Sequence, residues 1–186
     1  MKTYTVKEIM VPIAAYATVS EDATLAEAIQ ALELAQAEFD QSRCRHRAIV
    51  VLDDQKQAVG KISQHDVLMA LEPDFRKIKH RHKGAADRIG LSDAFIKSIM
   101  EQYSFWEKPL AHLCKLAARQ KVRHFMYTPC EGEYIDEKAT LDEAIHRLVI
   151  GEHHSLLVTR GREITGVLRL TDVFELVFEA LKYCRP

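Results

Sequence analysis

An internal repeat constrains the fold of this 186-residue chain more than any other feature of its sequence. Residues 24–29 (TLAEAI) are matched by residues 140–145 (TLDEAI), an offset of 116 residues (140 minus 24). Residues 60–67 (GKISQHDV) are matched by residues 166–173 (GVLRLTDV), an offset of 106 residues (166 minus 60). The first copy therefore holds 10 more residues than the second (116 minus 106), and these fall within residues 32–47. Two matching blocks in the same order predict two copies of one structural unit.

The start of the first long helix in each copy is marked by the same pair of polar residues. Thr24 precedes Glu27 by three positions, and Thr140 precedes Glu143 by the same spacing. This is the pattern of a capping box, in which the two side chains bond to each other's backbone N–H groups. Apolar residues at helical spacing follow each threonine, so an amphipathic helix is expected to begin there.

Short apolar runs complete each copy. Val19 and Ile135 lie in short extended segments that precede the two helices. After each helix come two β-rich runs separated by turn residues, at 48–52 and 58–62 in the first copy and at 155–158 and 164–168 in the second. A second helical pattern closes each copy. The expected order is β-α-β-β-α, present twice, which places the chain in the α/β (α+β) class.

Composition and charge exclude several classes of protein. The chain has 26 Lys+Arg against 27 Asp+Glu, so it lacks the basic excess that duplex binding normally requires. Its longest purely apolar runs, such as residues 48–52, are far shorter than the roughly 20 residues that span a bilayer. Residues 1–8 show no apolar segment of a secretory signal, and the 4 cysteines have no regular spacing. We therefore expect a cytoplasmic globular protein with reduced thiols that does not bind membranes, and the overall charge disfavours nucleic-acid binding.

The repeated blocks resemble a tandem pair of cystathionine-β-synthase (CBS) domains, also called a Bateman module. Three ordered motifs carry this resemblance. An apolar residue followed by three residues and a methionine occurs at residues 6–10 and 122–126. The helix start T-L-x-E-A occurs at residues 24–28 and 140–144. The closing motif G-x-x-S-x-x-D is complete in the first copy, at residues 60–66.

The resemblance implies a pseudo-twofold pair of small α/β units packed through their sheets. It divides the chain into a first repeat at residues 1–71, a helical insert at residues 72–121 and a second repeat at residues 122–186. It also implies two clefts between the repeats, which in this family bind adenosine-containing ligands such as AMP, ADP, ATP or S-adenosylmethionine. Members of the family usually dimerise and regulate a partner protein. The sequence itself shows no catalytic set, metal-ligand cluster or cofactor loop, so we expect no enzymatic activity and no metal.

The resemblance assigns the ribose of such a ligand to two aspartates, Asp66 and Asp172. An ionised carboxylate only accepts hydrogen bonds and can take both hydroxyl protons of a ribose. Ser63, at the start of a helix, suits a phosphate, although the spacing alone favours a plain helix cap made by Ser63 and Asp66. By resemblance, the adenine slot is lined by segments that enter the first two strands of each copy: Thr18, Val19, Arg47 and Ala48, and then Tyr134, Ile135, His153 and His154.

The second copy departs from the pattern of the family. Arg169 stands where the first copy has Ser63. Its guanidinium group has three interpretations, namely a fork that holds a phosphate, a side chain that fills the cleft, or a partner for a carboxylate. Thr171 offers a hydroxyl at a different position. One occupied cleft per chain and two occupied clefts are both compatible with the sequence.

The insert at residues 72–121 is not explained by the resemblance. Ser92 is expected to cap one amphipathic helix and Pro109 to open another. These two helices either cover the module or dock a partner. A basic stretch at residues 76–88 is interpreted as a solvated surface, with contact to a ligand's polyphosphate, an acidic partner or a nucleic acid as alternatives.

Three functional hypotheses follow, of which the third is nucleic-acid binding through residues 76–88. The first is a ligand-sensing regulatory module that binds an adenine nucleotide or adenosyl compound between its repeats, forms a homodimer and acts on an unidentified regulated protein. No cofactor is expected beyond this regulatory ligand. The second is a protein-interaction scaffold, in which side chains close both clefts and the helical insert binds the partner.

Overall fold

The computed structural model describes residues 4–38, 48–71 and 109–183. Arg47, the predicted Ser92 helix and the basic stretch lie outside these residues. The helices of the described part are α1 (Val6–Ile9), α2 (Leu25–Glu38), α3 (Gln64–Leu71), α4 (Leu110–Ala118), α5 (Leu141–Ile150) and α6 (Leu170–Tyr183). Its strands are β1 (Val11–Pro12), β2 (Thr18–Ser20), β3 (Ala48–Leu52), β4 (Ala58–Ser63), β5 (Tyr134–Asp136), β6 (Ser155–Arg160) and β7 (Glu163–Arg169). None of the described helices is long and apolar enough to cross a membrane.

The strands form two sheets, and each repeat supplies three consecutive strands to one of them. The sheet orders are β2-β3-β4 and β1-β7-β6-β5. In both repeats the first strand runs parallel to the second, and the second pairs antiparallel with the third. Both antiparallel pairs shift register at the same place, after Val51 in the first repeat and after Val158 in the second. The predicted order β-α-β-β-α and the predicted fold class are therefore confirmed.

The first helix cap forms as predicted, and the second forms only in part. The Thr24 N–H and hydroxyl donate to Glu27 Oε2 at 2.6 and 2.7 Å, and the Glu27 N–H donates to Thr24 Oγ1 at 3.3 Å. In the second repeat the Glu143 N–H donates to Thr140 Oγ1 at 3.3 Å. The Glu143 carboxylate, however, accepts from Arg147 at 2.9 Å, because a charged donor one helical turn away forms a stronger hydrogen bond than a neutral N–H.

The segments that open each repeat cross to the other repeat, which the sequence did not predict. Val6 of α1 is buried in the core of the second repeat, and Val122 is buried in the core of the first. β1 pairs antiparallel with β7, with Val11 opposite Val167. The repeats are therefore joined by exchanged segments as well as by their sheets. The division of the chain into residues 1–71, 72–121 and 122–186 stays a prediction.

The helix predicted after Pro109 is α4, and it packs on the first repeat. Ala117 is buried in the core of that repeat, and the Gln120 side chain donates to the Ala70 carbonyl at 2.9 Å. Leu110 and Leu116 of the same helix are largely exposed. Contact through a residue as small as alanine buries only a narrow stripe of the helix.

A cluster of apolar side chains lies where the two sheets meet. It draws on both repeats, and its buried members are Val11, Tyr16, Val50, Leu157 and Val167. Because burial of apolar surface favours folding in proportion to its area, this cluster stabilises the association of the repeats. The polar groups that border it are the candidates for a site.

Candidate functional site

The exchanged segments create two related clefts between the repeats. Tyr127 and Lys61 are joined by two backbone hydrogen bonds of 2.9 Å, one in each direction. Val11 and Val167 are paired at the equivalent place on the other side, as the two offsets of the sequence repeat require. We call the side with Lys61 and Tyr127 the first cleft and the side with Val11 and Val167 the second cleft.

In the first cleft, Ser63 and Asp66 form a reciprocal cap at the start of α3. The Ser63 N–H and hydroxyl donate to Asp66 Oδ2 at 2.8 and 2.7 Å, and the Asp66 N–H donates to Ser63 Oγ at 3.3 Å. Both residues are half-buried. Within the described part of the chain all of these bonds fall on Oδ2, and none falls on Oδ1. One carboxylate therefore serves the cap and keeps an acceptor for another donor.

In the second cleft, Arg169 binds both carboxylate oxygens of Asp172. The Arg169 Nε donates to Asp172 Oδ2 at 2.6 Å, and a terminal guanidinium nitrogen bonds to Oδ1. Only 6% of the Arg169 side chain and 4% of the Asp172 side chain are exposed. Of the three interpretations of Arg169, the structure shows a partner for a carboxylate. A ribose at Asp172 would first have to displace a charged, bidentate donor.

Tyr16 is buried beside this ion pair and comes from the first repeat. Burial raises the pKa of Tyr16 to about 12, while the positive charge of Arg169 lowers that pKa and the negative charge of Asp172 raises it. Both charges thus lie close enough to the phenol to act on its ionisation. The ion pair of the second cleft is therefore enclosed by the junction between the repeats.

Three polar side chains in the first cleft link the two repeats. Lys61 on β4 forms an ion pair with Glu133, the last residue of the 3-10 turn Glu131–Glu133 that leads into β5. The Lys61 ammonium also lies 5.1 Å from the centre of the Tyr127 ring. The exposed fraction is 1% for the Glu133 side chain and 16% for Lys61. The pair is largely removed from water, and Lys61 keeps the greater access to solvent.

The surroundings keep Glu133 ionised. Burial alone would raise the pKa of Glu133, but hydrogen bonds from Lys61 and Tyr127, with the charge of Lys61 and the Cys130 N–H, hold it below 4.5. The Cys130 N–H donates to Glu133 Oε1 at 3.3 Å. The hydrogen bond of the Tyr127 hydroxyl to Glu133 raises the pKa of that tyrosine well above its usual value. Glu133 therefore meets the Lys61 side chain as an ionised carboxylate.

The predicted adenine segment of the second repeat divides between the first cleft and the core. Tyr134 begins β5 directly after the 3-10 turn and is half-buried, whereas Ile135 is buried in the core of the second repeat. His153 lies beside the same turn, since a methyl group built on Gly132 would be 3.8 Å from its Nε2. His154 is exposed. Tyr134 and His153 are thus the members that lie near the first cleft.

The predicted adenine segment of the first repeat lies toward the second cleft. Thr18 begins β2 two positions after Tyr16 and is half-buried, and Val19 packs against the core of the first repeat. Ala48 begins β3 and is half-buried. Thr171 lies half-buried in the first turn of α6, next to the closed ion pair. Thr18, Ala48 and Thr171 thus lie on the side of the closed ion pair, whereas Tyr134 and His153 lie near the first cleft.

A cavity of about 390 Å³ lies between the turns of the two hairpins. Tyr134, Glu131, Gln57 and Ala58 are among the residues that line it. This volume is within the usual range for small-molecule pockets, but neither Ser63 nor any other capping residue lines it. The cavity adjoins the first cleft along β5 and is not the place where the caps lie.

Sequence reasoning missed the cross-repeat charges of the first cleft, although the repeat held a signal for them. The missed residues are Lys61, Tyr127 and Glu133. At the offsets of the repeat their counterparts are all apolar, namely Val167, Val11 and Ala17. Polar residues at three positions where the other copy is apolar indicate that the two clefts differ.

Comparisons with known proteins agree with this architecture. The sequence profile of the CBS domain matches residues 6–73 and 122–179. No curated protein matches the chain. Among solved structures, CBSX2 in complex with AMP is 18% identical, with 98% of this chain and 99% of that chain covered and a TM-score of 0.56.

Two further structures show the same fold. The CBS domain of a CBS-domain-containing membrane protein from Sphaerobacter thermophilus is 16% identical, with 92% and 86% of the two chains covered and a TM-score of 0.59. The CBS-domain-containing protein ATU1752 from Agrobacterium tumefaciens is 17% identical, with 94% and 93% covered and a TM-score of 0.56. CBS-domain pairs are typically regulatory modules. Because the profile covers more than half of the sequence, the chain belongs to the CBS domain family and carries two CBS domains in tandem.

Proposed function

We propose that this chain is a ligand-sensing regulatory module that binds one adenosine-containing ligand per chain, in the first cleft. The ligand class is an adenine nucleotide (AMP, ADP or ATP) or an adenosyl compound such as S-adenosylmethionine. Membership of the CBS family supports the regulatory role. The complex of the related CBSX2 with AMP supports the class of ligand.

The contrast between Asp66 and Asp172 is the observation that carries this proposal. Asp66 is half-buried and receives its hydrogen bonds on one oxygen, so the other oxygen is available to a ribose hydroxyl. Asp172 is buried, and Arg169 binds both of its oxygens. A ligand hydroxyl adds a bond at the first carboxylate, whereas at the second it must replace a charged one.

The first cleft offers groups for the other parts of a nucleotide. The N-terminus of α3 provides backbone N–H groups for a phosphate, and the Ser63 hydroxyl can join them when it leaves its bond to Asp66 Oδ2. Tyr134 and His153 lie near the cleft and offer two half-buried rings beside which a base can pack. Charge-assisted hydrogen bonds of the kind that Asp66 forms contribute about 1.5–3 kcal/mol each.

Ligand binding in the first cleft can change how the two repeats pack against each other. Ser63 and Asp66 belong to the first repeat, whereas Tyr134 and His153 belong to the second. A ligand that contacts both repeats shifts their packing if it binds one arrangement more tightly than another. We infer that this shift is what the regulated protein detects.

An apolar surface on the second repeat supports the homodimer in this proposal. Four large side chains of α6 are strongly exposed, and they are Phe174, Phe178, Leu181 and Tyr183. Val149 and Ile150 at the end of α5 are also exposed. Large exposed apolar side chains gathered on one helix commonly mark a protein–protein interface. A second copy of the chain is the occupant that we propose for it.

Isothermal titration calorimetry with AMP, ATP, S-adenosylmethionine and NAD tests the proposed function. The expected result is saturable heat from at least one adenosine-containing ligand, at a ratio near one ligand per chain. Circular dichroism and a cooperative thermal transition establish that the protein is folded. A folded protein that gives no heat with any of the four ligands contradicts the proposal.

A further inference from the structure

We propose that Lys61 makes the first cleft selective for a nucleoside that carries a phosphate, and that Glu133 competes with this phosphate for Lys61. The inference rests on the proposed function and deepens it in two respects. It names the chemical class of the ligand, and it names a contact between the repeats that the ligand weakens.

The placement of Lys61 brings its charge to the candidate site. Lys61 and Ser63 lie two positions apart on β4, so their side chains point to the same face of the strand, with Cα atoms about 7 Å apart. Ser63 in turn caps α3 together with Asp66. The negative charge of Asp66 also acts on Tyr127, the residue whose ring lies against Lys61. The ammonium group and the cap therefore form one polar cluster.

Lys61 has hydrogen-bonding capacity that its present contacts do not use. An ammonium group has three N–H donors. In the described residues Glu133 accepts from it, and the Tyr127 ring faces it. The 16% of the side chain that remains exposed gives a solute access to the group. A phosphate held at Ser63 therefore has a cationic donor within reach, whereas the equivalent position of the second cleft is Val167.

Glu133 and a bound phosphate would oppose each other at Lys61. Both are anions, and each forms its strongest hydrogen bond when it has the ammonium group to itself. Thermodynamic linkage is reciprocal, so a ligand that weakens the Lys61–Glu133 pair binds more tightly when that pair is weakened beforehand. Because the pair joins the two repeats, occupancy of the cleft loosens one contact between them.

The same charges distinguish classes of adenosine-containing ligand. AMP, ADP and ATP carry an anionic group on the ribose 5′ position, which Lys61 attracts. Adenosine has an uncharged hydroxyl there, and S-adenosylmethionine has a cationic sulfonium that Lys61 repels. The expected order of affinity is therefore nucleoside phosphate first, adenosine second and S-adenosylmethionine last.

Titration calorimetry of AMP and adenosine into the full chain tests the proposal with three variants. Lys61→Met is expected to lower AMP affinity about 10- to 100-fold and so to narrow the difference between AMP and adenosine, while the N–H groups of α3 still act on the phosphate. Glu133→Gln is expected to raise AMP affinity about fivefold, since a neutral amide competes less well for Lys61. Glu137→Gln is the matched control, because Glu137 is also a buried carboxylate paired with a cation, Arg160, but lies outside the clefts. It is expected to leave the AMP affinity unchanged, and adenosine affinity should be the same in all variants.

Removal of one member of a buried ion pair destabilises the fold, so a double variant accompanies the single ones. Lys61→Met combined with Glu133→Gln removes both charges together and is expected to show the same narrowed difference between AMP and adenosine as Lys61→Met. A ratio of AMP to adenosine affinity that is as large in this double variant as in the unchanged protein overturns the proposal, as does a folded Glu133→Gln protein that binds AMP more weakly. Equal binding of AMP and adenosine by the unchanged protein also overturns it but leaves the proposed function intact. Absence of binding by any adenosine compound rejects both.

Discussion

Arg169 binds both oxygens of Asp172, whereas the equivalent Ser63 bonds to one oxygen of Asp66. These two residues occupy the same position of the sequence repeat. The Ser63 hydroxyl caps the helix and leaves one oxygen of Asp66 available, whereas the Arg169 guanidinium bonds to both oxygens of Asp172. The residue at this position therefore decides whether the aspartate keeps an oxygen for a ligand or is held in a buried ion pair.

The substitutions Asp66→Asn and Asp172→Asn are expected to affect different properties. Asp66→Asn removes the charge that accepts the ribose hydroxyls and should lower AMP affinity about 10- to 100-fold, with a loss of about 1 kcal/mol of stability at the cap. Asp172→Asn leaves Arg169 buried without its anion and should cost about 3–5 kcal/mol of unfolding free energy. Calorimetry and urea denaturation measure the two effects. A larger loss of AMP affinity in Asp172→Asn than in Asp66→Asn would count against the assignment of the clefts.

Replacement of Arg169 by serine is expected to open the second cleft. Arg169→Ser gives this cleft the residue that the first cleft has, and it frees Oδ1 of Asp172 for a ribose hydroxyl, in the way that Oδ1 of Asp66 is available in the first cleft. The expected result is a second AMP site per chain that is weaker than the first, because Val167 supplies no cation there, with a lower stability in the absence of ligand. Arg160→Ser is the control, since it removes an arginine that pairs with a buried carboxylate away from the clefts. A folded Arg169→Ser protein that still binds one AMP would show that Arg169 is not what closes the second cleft.

Stability is expected to fall in acid because of buried carboxylates with lowered pKa values. The hydrogen bond from Arg160 holds the pKa of Glu137 below 4.5, and despite its burial Glu133 is also held below 4.5. A folded-state pKa below the unfolded one stabilises the protein above the unfolded value, and this contribution is lost as pH falls through the folded value. Urea midpoints should therefore decline as pH is lowered below about 4.5.

The variant Glu133→Gln isolates the contribution of one carboxylate to this acid loss. It should begin less stable at pH 7 and should lose less stability on acidification than the unchanged protein. Glu33→Gln, at an exposed position of α2, serves as the control and should follow the unchanged protein. Parallel acid profiles for Glu133→Gln and the unchanged protein would mean that Glu133 does not contribute to the pH dependence.

A charge on the apolar surface of α6 is expected to prevent dimer formation. The rings of Phe174 and Phe178 are stacked with centroids 6.0 Å apart, and both residues are strongly exposed. Phe178→Glu places a carboxylate in this surface and should give a monomer by light scattering at micromolar concentration. Glu179→Gln changes an exposed neighbour on the same helix and should leave a dimer. A dimer that persists in Phe178→Glu would place the interface elsewhere.

Local signals in the sequence predict most of the fold. Thr24 and Glu27 cap a helix because the interaction requires only residues three positions apart, and the β-rich runs alternate with turns in the order observed. The exchange of opening segments, by contrast, cannot be predicted from local signals. Val6 and Val122 occupy the same motif, but the motif does not say which core each segment joins. That choice depends on how the two repeats pack, which involves contacts distant in the chain.

The sequence predicts several residues of the candidate site. It does not predict the contacts that make the two clefts different. The repeat identifies Asp66 and Asp172 as equivalent, and it places Arg169 beside the second. Three interpretations of Arg169 remained because a long, flexible side chain reaches a phosphate, a cleft or a carboxylate equally well. The ion pair of Lys61 with Glu133 joins residues 72 positions apart. No spacing rule links such residues before the fold is known.

The number of AMP molecules bound per chain tests the central claim most directly. Calorimetric titration of the unchanged, folded protein with AMP is predicted to give a single class of sites at a ratio near one per chain, because the second cleft is closed by Arg169. Two equivalent sites per chain would contradict the proposed difference between the clefts. Absence of binding by AMP and by the other adenosine-containing ligands would contradict the proposed function itself.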